Sequence, residues 1–363
     1  MKILFDHQIF SLQKYGGISR YFANLHKGFN ISSKAFSYIT SLYSNNEYIK
    51  EERFALNNPM GEKLFKGKPK RLYNWNRRFA RWSLRLRNFD VFHPTYYDPY
   101  FVRYLKKPCV VTVHDMVHEL YPQYFADAAD VITRKKKVME RANLLIAISE
   151  FTKQDIIKIY PEMADKIRVV YHGYLGLTVK AELNANLPEK YILFVGERWH
   201  YKNFPVFVEG ISKLLQADAN LKLVCAGGKA FTADEFELFN RYSISSQCLQ
   251  MDVTDTILQQ LYSQAKLFVF PSLHEGFGLP LLEAFANQCP VICSDSSCLP
   301  EIAGNAALYF NPQKPEQIFQ LTQKVLSSAY LQNELKKKGL DRLLLFSFDT
   351  CIEKTLQVYQ SLY

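Results

Sequence analysis

The chain has 363 residues and a formal net charge of +10 at pH 7, with 48% hydrophobic and 15% aromatic residues. This length exceeds one ordinary hydrophobic core, so we expect about two domains. The sequence contains neither an apolar run of the roughly 18 residues that span a bilayer nor a basic-then-apolar signal sequence at its start. We therefore expect a cytoplasmic protein and exclude the integral membrane class.

The first half of the chain alternates short apolar strands with helical patterns. An apolar strand over residues 1–6 is followed by Gly16 and Gly17, where a helical pattern opens. A further helix is predicted to begin near Glu150. The other strand candidates of this half are residues 90–93, 109–114, 143–149 and 166–171. Strands that alternate with helices predict a parallel sheet covered by helices.

A basic segment interrupts this alternation. Residues 63–87 contain ten Lys and Arg residues, no acid, and interleaved aromatic and leucine side chains. Such a mixture suits an anionic membrane surface, but it also fits a nucleic-acid partner or a solvated helix whose aromatic residues face the protein's own core. The residues predicted to contact a membrane or an acceptor are Trp75, Arg77, Arg78, Arg81, Trp82 and Arg85.

The strand-helix pattern restarts after the polar stretch 180–190, with strand candidates at residues 191–196, 221–226, 267–271 and 290–294. The sequence therefore predicts an α/β protein with two Rossmann-like, doubly wound domains, at 1–175 and 176–346, and a hinge between about 173 and 190. The final segment, 347–363, has helical spacing and could cross back to the first domain. Ligands of open α/β sheets bind at the carboxyl ends of the strands, so we expect these ends to face a central cleft.

The cysteines give no sign of a metal or of disulfide bonds. Their number is odd, at seven, and none has paired CxxC spacing. Several lie in apolar strand-like runs, so we expect reduced, buried thiols. Cys289, Cys293 and Cys298 are close in the chain, but no second pair or suitably spaced histidine completes a zinc site.

The most informative motif is the run from Glu275 to Glu283, EGFGLPLLE, which follows an apolar strand. Gly276 and Gly278 let backbone N–H groups approach an anion, and Pro280 suits the first position of a helix, whose dipole favours negative charge. The two carboxylates can accept hydroxyl hydrogen bonds, so the run predicts a site for a phosphorylated sugar. The structural alternative is a tight turn whose acids favour the start of the helix.

Two further clusters follow strand candidates. Arg198 and Lys202 lie in the run GERWHYKN and could neutralise a diphosphate, whose charge grows as a nucleotide sugar reacts. His114, in TVHD, could hydrogen-bond a sugar hydroxyl or a phosphate oxygen. Each cluster alone also fits a structural role, with solvated cations in the first and a core histidine in the second.

Over nearly its whole length the chain resembles the retaining glycosyltransferases of family 4, which have the GT-B fold of two Rossmann-like domains. The resemblance is carried by YGGISRY, VTVHDMVHELYP, LLIAISEFTKQDI, KIRVVYHGY, ILFVGERWHYKN, FVFPSLHEGFGLPLLEAFANQCPVICSD and LPEIAGNAALYF. The sixth of these is the most specific, since it holds the family's two glutamates eight positions apart in a strand-loop-helix setting.

This resemblance implies roles for individual residues. Glu275 would contact the hydroxyls of the donor sugar and Glu283 the ribose, while Lys202 and, less firmly, Arg198 would hold the diphosphate. The implied catalytic residues are His114, Arg198, Lys202 and Glu275. The implied donor-binding residues are Gly17, Gly196, Arg198, Lys202, Asp252, Val253, Glu275, Gly276, Phe277, Gly278, Leu279 and Glu283. No divalent metal or other cofactor is implied, in agreement with the lack of a suitably placed Asp-x-Asp motif.

The implied reaction is transfer of a hexose from a nucleotide sugar to a hydroxyl, with the anomeric configuration retained. Resemblance to bacterial O-antigen and capsule enzymes favours mannose from GDP-mannose, with UDP- or dTDP-linked sugars as alternatives. The implied acceptor is a glycan, or a glycan on a lipid carrier at the inner face of the membrane. Other readings remain: an epimerase or phosphorylase on the same fold, or, from a different class, a nucleic-acid-binding module.

Overall fold

The computed structural model describes residues 1–32, 34–176 and 187–363. It divides the chain into two compact units: unit 1 comprises Met1–His172 and Phe348–Tyr363, and unit 2 comprises Gly173–Ser347. Part of the predicted hinge, residues 177–186, lies outside the described residues.

Unit 1 is built on parallel strands. These are β1 (Lys2–Asp6), β2 (Phe36–Thr40), β3 (Val91–His93), β4 (Val110–Val113), β5 (Leu144–Ala147) and β6 (Ile167–Val169). Hydrogen-bonded neighbours run β2-β1-β3 and β4-β5-β6, and an isolated parallel bridge from Phe92 to Cys109 joins the two sets. In this order the direction of winding reverses between β1 and β3, which is where ligands of such sheets bind.

Helices cover both faces of these strands. In chain order they are α1 (Gln8–Leu12), α2 (Gly17–Ser32), α3 (Pro59–Phe65), α4 (Pro69–Leu86), α5 (Val117–Leu120), α6 (Ala128–Arg141) and α7 (Glu150–Ile159). The Ser149 hydroxyl accepts from Thr152 N–H and caps α7. Two clusters of buried apolar side chains form the core of the unit.

The last helix of the chain belongs to unit 1 and packs on α2. A Cβ added to Gly28 would lie 2.2 Å from Ile352 Cδ1, so a glycine is needed at this crossing. The ring of Phe29 lies 5.8 Å from that of Tyr359. This helix is numbered α15 (Phe348–Gln360), because seven helices of unit 2 precede it.

Unit 2 has one six-stranded parallel sheet in the order β12-β11-β10-β7-β8-β9. The strands are β7 (Tyr191–Val195), β8 (Lys222–Ala226), β9 (Cys248–Met251), β10 (Leu267–Phe270), β11 (Val291–Ser294) and β12 (Leu308–Phe310). Winding reverses between β7 and β10, so the crevice outside these two strand ends is the expected ligand site.

Seven helices surround this sheet. They are α8 (Phe204–Ala217), α9 (Ala233–Arg241), α10 (Asp255–Gln264), α11 (Leu279–Ala286), α12 (Leu299–Ala303), α13 (Pro315–Leu326) and α14 (Ala329–Leu343). Gly210 lets α8 pack closely on α13, since a Cβ there would lie 2.7 Å from Ile318. In the described parts of the chain, no helix is both long enough and apolar enough to cross a membrane.

Candidate functional site

A lysine and a glutamate meet at the winding reversal of unit 2. Lys202 follows β7, Glu275 follows β10, and Lys202 Nζ lies 2.6 Å from Glu275 Oε1. Their side chains are 19% and 14% exposed, so both charges are largely shielded yet reachable from solvent. A short, charge-assisted contact of this kind holds both groups in place at the expected ligand site.

The loop that carries Lys202 is held by its own side chains. After β7 the backbone turns at Gly196, whose φ is +114°, and then forms a short helical turn over His200–Lys202. Asn203 ends that turn in the left-handed conformation, with φ +59°. Its Nδ2 donates to the carbonyls of Pro271, at 3.1 Å, and Pro312, at 2.7 Å. Asn203 therefore links the lysine loop to the end of β10.

The loop that carries Glu275 is tied to its neighbours through the backbone. Leu273 N–H donates to the carbonyl of Tyr201 at 2.7 Å, which joins this loop to the lysine loop. Gly278, with φ +92°, ends it, and α11 then begins at Leu279 with Pro280 in its first turn. Gly276 and Phe277 between these points are buried, and the ring of Phe277 lies 5.8 Å from that of Phe346.

Glu283 projects from α11. Its Oε2 accepts from the hydroxyl of Tyr262 at 3.2 Å. Burial raises the pKa of the Tyr262 hydroxyl well above its ordinary value, and the neighbouring Glu283 carboxylate adds to the shift. Tyr262 therefore stays protonated and is a fixed donor that orients Glu283. Sequence reasoning did not identify Tyr262, which lies in a helical pattern without a motif of its own.

Arg198 is bound by groups of its own unit. Its side chain is 5% exposed, and its Nε lies 2.6 Å from Glu235 Oε1. The guanidinium also donates to the carbonyls of Gly227, at 3.2 Å, and Lys229, at 2.5 Å. Phe231 covers one face, with its ring centre 4.9 Å away. In the structure these contacts hold the loop after β8, and the predicted contact of Arg198 with a diphosphate stays a prediction.

The remaining predicted donor residues of unit 2 lie at the edge of the sheet. Asp252 and Val253 follow β9, two strands away from β7 in the sheet order. Asp252 is exposed and accepts from Gln250 Nε2 at 3.0 Å. Thr254 then caps α10 by accepting from Ile257 N–H. The predicted base-binding segment is therefore a short, capped strand-to-helix loop.

His114 and Gly17 belong to unit 1. His114 follows β4, is buried, and its ring stacks on that of His172 at 5.7 Å. Burial lowers the pKa of His114 to about 4, so its ring is neutral at pH 7. Within the described residues its Nε2 is buried without a hydrogen-bond partner. Gly17 is exposed and is the first residue of α2.

The predicted membrane residues on α4 fall into two groups, and the first is bound within unit 1. Arg77 makes a bidentate contact with Asp98. Nε of Arg77 lies 3.0 Å from Oδ2 of Asp98, and Nη2 of Arg77 donates to Oδ1 at 3.3 Å. Arg81 and Arg85 lie over the ring of Tyr104, at 5.9 and 4.7 Å. These three arginines therefore have partners in their own unit.

The second group forms an outward stripe, which we call the aromatic stripe of α4. Trp75 is 39% exposed, Trp82 56% and Leu86 63%, and the half-buried Phe79 stacks on Trp82 at 5.8 Å. Their spacing of three and four residues places them on one helical face. Arg78 is exposed beside this stripe. The buried residues of α4 lie on the adjacent face of the helix and are Leu72, Asn76, Ala80, Ser83 and Leu84.

All seven cysteines lie within the described residues as buried thiols outside any disulfide bond, and Cys298 donates to the carbonyl of Glu275 at 3.2 Å. Across the ranges 1–32, 34–176 and 187–363, His, Cys, Asp and Glu side chains do not gather in a group that could hold a metal ion.

Two family models match the chain. Glycosyltransferase Family 4 matches residues 15–174, and Glycosyl transferases group 1 matches residues 178–342, so that together they cover most of the sequence. O-antigen chain mannosyltransferase B of Escherichia coli is 26% identical, over 77% of this chain and 77% of its own length. O-antigen chain mannosyltransferase RfbU of Salmonella typhimurium is 30% identical, over 56% of each protein.

Solved structures of similar fold cover the whole chain. HepE of Anabaena, in complex with UDP and glucose, aligns with a TM-score of 0.74 at 15% identity, over 99% of this chain and 99% of its own. Likeness at this identity concerns the fold alone. Together with the two parallel, doubly wound units it confirms the predicted α/β architecture of GT-B type.

Proposed function

The chain belongs to glycosyltransferase family 4, and on that premise we propose that it transfers a hexose from a nucleotide sugar to a hydroxyl of a glycan, with retention of the anomeric configuration. The observation that carries this proposal is the Lys202–Glu275 pair, 2.6 Å apart at the winding reversal of unit 2. A cation and an acid at that point suit the two ends of a nucleotide sugar, its diphosphate and its hydroxyls.

Lys202 has the charge that the leaving group needs. As the bond from the sugar to the diphosphate breaks, negative charge grows on the phosphate oxygens, and a cation already fixed beside them stabilises that state most. Lys202 is fixed by Glu275 and by the turn that Asn203 holds. We extend the proposal to independence from divalent metal, because this lysine supplies positive charge where a metal would otherwise be needed.

The two glutamates are proposed to orient the donor. Glu275 would accept hydrogen bonds from sugar hydroxyls, and Glu283, held by Tyr262, would accept from the ribose. Neither is assigned a covalent role, since orientation of the reactants is enough to use binding energy at the reacting centre. The leaving diphosphate itself would take the acceptor proton on the same face. In unit 1, His114 is the candidate for contact with a hydroxyl or phosphate oxygen, because its neutral ring can donate or accept.

GDP-mannose is the proposed donor, and mannose the proposed hexose. Support comes from the two mannosyltransferases named above, which are 26% and 30% identical to this chain. UDP-linked sugars are the main competitor, because HepE was solved with UDP. A panel of GDP-, UDP- and dTDP-linked sugars separates the two by thermal shift, since a bound donor stabilises the folded state by mass action.

The proposed acceptor is a glycan on a lipid carrier at an anionic membrane surface. Support comes from the aromatic stripe of α4, with Trp82 more than half exposed and Arg78 beside it. Aromatic side chains at headgroup depth next to arginines suit such a surface. Arg78→Glu combined with Trp82→Ala should lower binding to vesicles that contain anionic lipid, while Arg168→Glu, on the exposed edge of β6, should not. Equal partitioning of all three proteins would remove this part of the proposal.

Replacement of Lys202 or Glu275 tests the central assignment. Lys202→Ala should lower kcat/KM for the donor by about 100-fold or more, the usual loss when a charged group that stabilises the transition state is removed. Glu275→Gln should also lower kcat/KM, because it weakens the acceptor that orients the donor sugar. Lys213→Ala and Glu316→Gln, on exposed positions of unit 2, are the matched controls. Full activity in both site variants would refute the assignment. Release of nucleoside diphosphate only when acceptor is present supports transfer, whereas phosphate-dependent release or donor isomerisation would identify a phosphorylase or an epimerase.

A further inference from the structure

Both backbone polar groups of Glu275 are bound by the loop that follows β11. Glu275 N–H donates to the hydroxyl of Ser297 at 3.1 Å, and the thiol of Cys298 donates to the carbonyl of Glu275 at 3.2 Å. Cys298 is fully buried. Two consecutive side chains of a neighbouring strand end therefore hold one residue of the candidate site by its peptide groups.

The backbone of Ser297 is itself in an unfavourable conformation. Its φ is +56°, in the left-handed region that residues with a Cβ rarely adopt. Five non-glycine residues of the described chain have such a φ, and three of them, His200, Asn203 and Ser297, lie in the loops around the Lys202–Glu275 pair. Strain of this kind persists where the surroundings over-determine the backbone, and it is enriched at functional sites.

The end of β11 and the segment that follows it contact the loop that carries Glu275 at two further points. Ser294, the last residue of β11, donates from its hydroxyl to the carbonyl of Ser272 at 2.7 Å. A Cβ added to Gly278 would lie 3.0 Å from Cδ2 of Leu299, so these two segments are packed together. The loop that carries Glu275 is thus held at several points along its length by the end of β11 and the segment that follows it.

We propose that Ser297 and Cys298 are positioning residues for Glu275, and this proposal rests on the function proposed above. The direction of a side chain follows from the backbone that carries it. By binding the N–H and the carbonyl of Glu275, the two residues set where its carboxylate lies, 2.6 Å from Lys202 Nζ and in position to accept from the donor sugar.

Ser297→Gly tests the hydroxyl without adding strain. Glycine adopts the left-handed region freely, so this change removes the contact to Glu275 N–H and leaves the local backbone unstrained. We expect kcat/KM to fall about tenfold, as for loss of one hydrogen bond that orients a reacting group, with an unchanged unfolding midpoint. Ser243→Gly, at an exposed serine with φ +54°, is the matched control and should leave kcat/KM unchanged.

Binding measurements separate positioning from a general defect. Affinity for the intact nucleotide sugar should fall several-fold more than affinity for the nucleoside diphosphate, which lacks the sugar that Glu275 would bind. An equal loss for both ligands, or full activity of Ser297→Gly, would overturn the proposal. Inactivity of the unmodified protein with every nucleotide sugar would instead refute the proposed function.

Cys298 is tested by a pair of substitutions. Cys298→Ala removes the donor to the Glu275 carbonyl and should lower kcat, whereas Cys298→Ser retains a donor and should restore most of the loss. Cys248→Ala is the matched control, because the thiol of Cys248 likewise donates to a backbone carbonyl, that of Ile244, at 3.4 Å. Equal kcat for Cys298→Ala and Cys298→Ser would contradict a role through this hydrogen bond.

Discussion

Both units reverse the direction of winding between two central strands, but the side chains at those strand ends differ in exposure. In unit 2 the strand ends hold Lys202 and Glu275, two charged side chains that are partly exposed and contact each other. In unit 1 the ends of β1 and β3 hold Asp6 and Thr95, which are almost wholly buried. The same architecture thus presents charge to solvent in one unit and encloses it in the other.

Asp6 is surrounded by donors from its own unit. Its Oδ1 accepts from the N–H and the hydroxyl of Thr95, at 2.9 and 2.7 Å. Its Oδ2 accepts from Gln8 Nε2 at 2.8 Å and from the hydroxyl of Tyr100 at 3.1 Å. A carboxylate with this many internal donors has little capacity left for a ligand. Of the two winding reversals, the one in unit 2 is therefore the one whose charged groups remain accessible to a ligand.

The largest expected difference between the units is in acid stability. Unit 1 contains five buried histidines whose pKa is lowered by burial: His7 and His93 to about 3, His114 to about 4, and His26 and His172 in the same direction. Below the unfolded pKa of about 6.5 the unfolded chain binds protons that the folded unit does not. Each histidine then reduces stability by up to about 1.4 kcal/mol per pH unit as the pH falls.

Unit 1 should accordingly lose stability faster than unit 2 between pH 7 and pH 5. The tryptophans report the units separately, since Trp75 and Trp82 lie in unit 1 and Trp199 in unit 2. Urea unfolding of Trp199→Phe, and of the double variant Trp75→Phe and Trp82→Phe, should give midpoints that diverge as the pH falls. Midpoints that move together would contradict an acid-labile unit 1.

A smaller effect is expected from Asp6→Asn, which tests whether the hydrogen bonds of Asp6 stabilise unit 1. The asparagine amide cannot accept from both Gln8 and Tyr100 on the Oδ2 side, and buried donors left unpaired cost about 1–3 kcal/mol each. We expect unfolding of unit 1 at a lower urea concentration. Glu275→Gln, the matched change in unit 2, should leave unfolding unaffected and reduce turnover. Normal stability with loss of acceptor-dependent transfer in Asp6→Asn would show that the Asp6 site binds a ligand.

Most of the strands that could be predicted are buried on both faces. Apolar runs identified β1, β3, β4, β5, β7, β8, β10 and β11, and the exception is β6, an edge strand that was predicted although it is only partly buried. The strands absent from the prediction, β2, β9 and β12, are edge strands of their sheets and are only partly buried. Edge strands expose alternate residues, so their sequences lack the continuous apolar run that marks a central strand.

The candidate site was predictable to the extent that its residues follow apolar strands. Lys202 and Glu275 do so, and the structure brings them together. The side chains of Ser297 and Cys298 bind the backbone of Glu275, which is distant in the chain, and no spacing in the sequence indicates such contacts. Glu235 is different: Thr232 and Glu235 form the capping box of α9, whose T-x-x-E signature is visible in the sequence. Its pairing with Arg198 depends on the fold and could not be predicted.

The smallest predicted effect concerns Arg198, which has the buried, internally satisfied character of Asp6 although it belongs to unit 2. A lysine in place of Arg198 would retain the positive charge beside Glu235. It would lack the planar guanidinium that donates to the carbonyls of Gly227 and Lys229. Arg198→Lys should therefore lower the stability of unit 2 by about 1–2 kcal/mol, with a minor rise in donor KM. Urea unfolding followed by Trp199 fluorescence measures this in the Trp75→Phe and Trp82→Phe background. Arg241→Lys, at an exposed pair with Glu237, is the control and should leave the midpoint unchanged. A large rise in KM with normal stability would instead assign Arg198 to the diphosphate, since only a ligand contact would then have been lost.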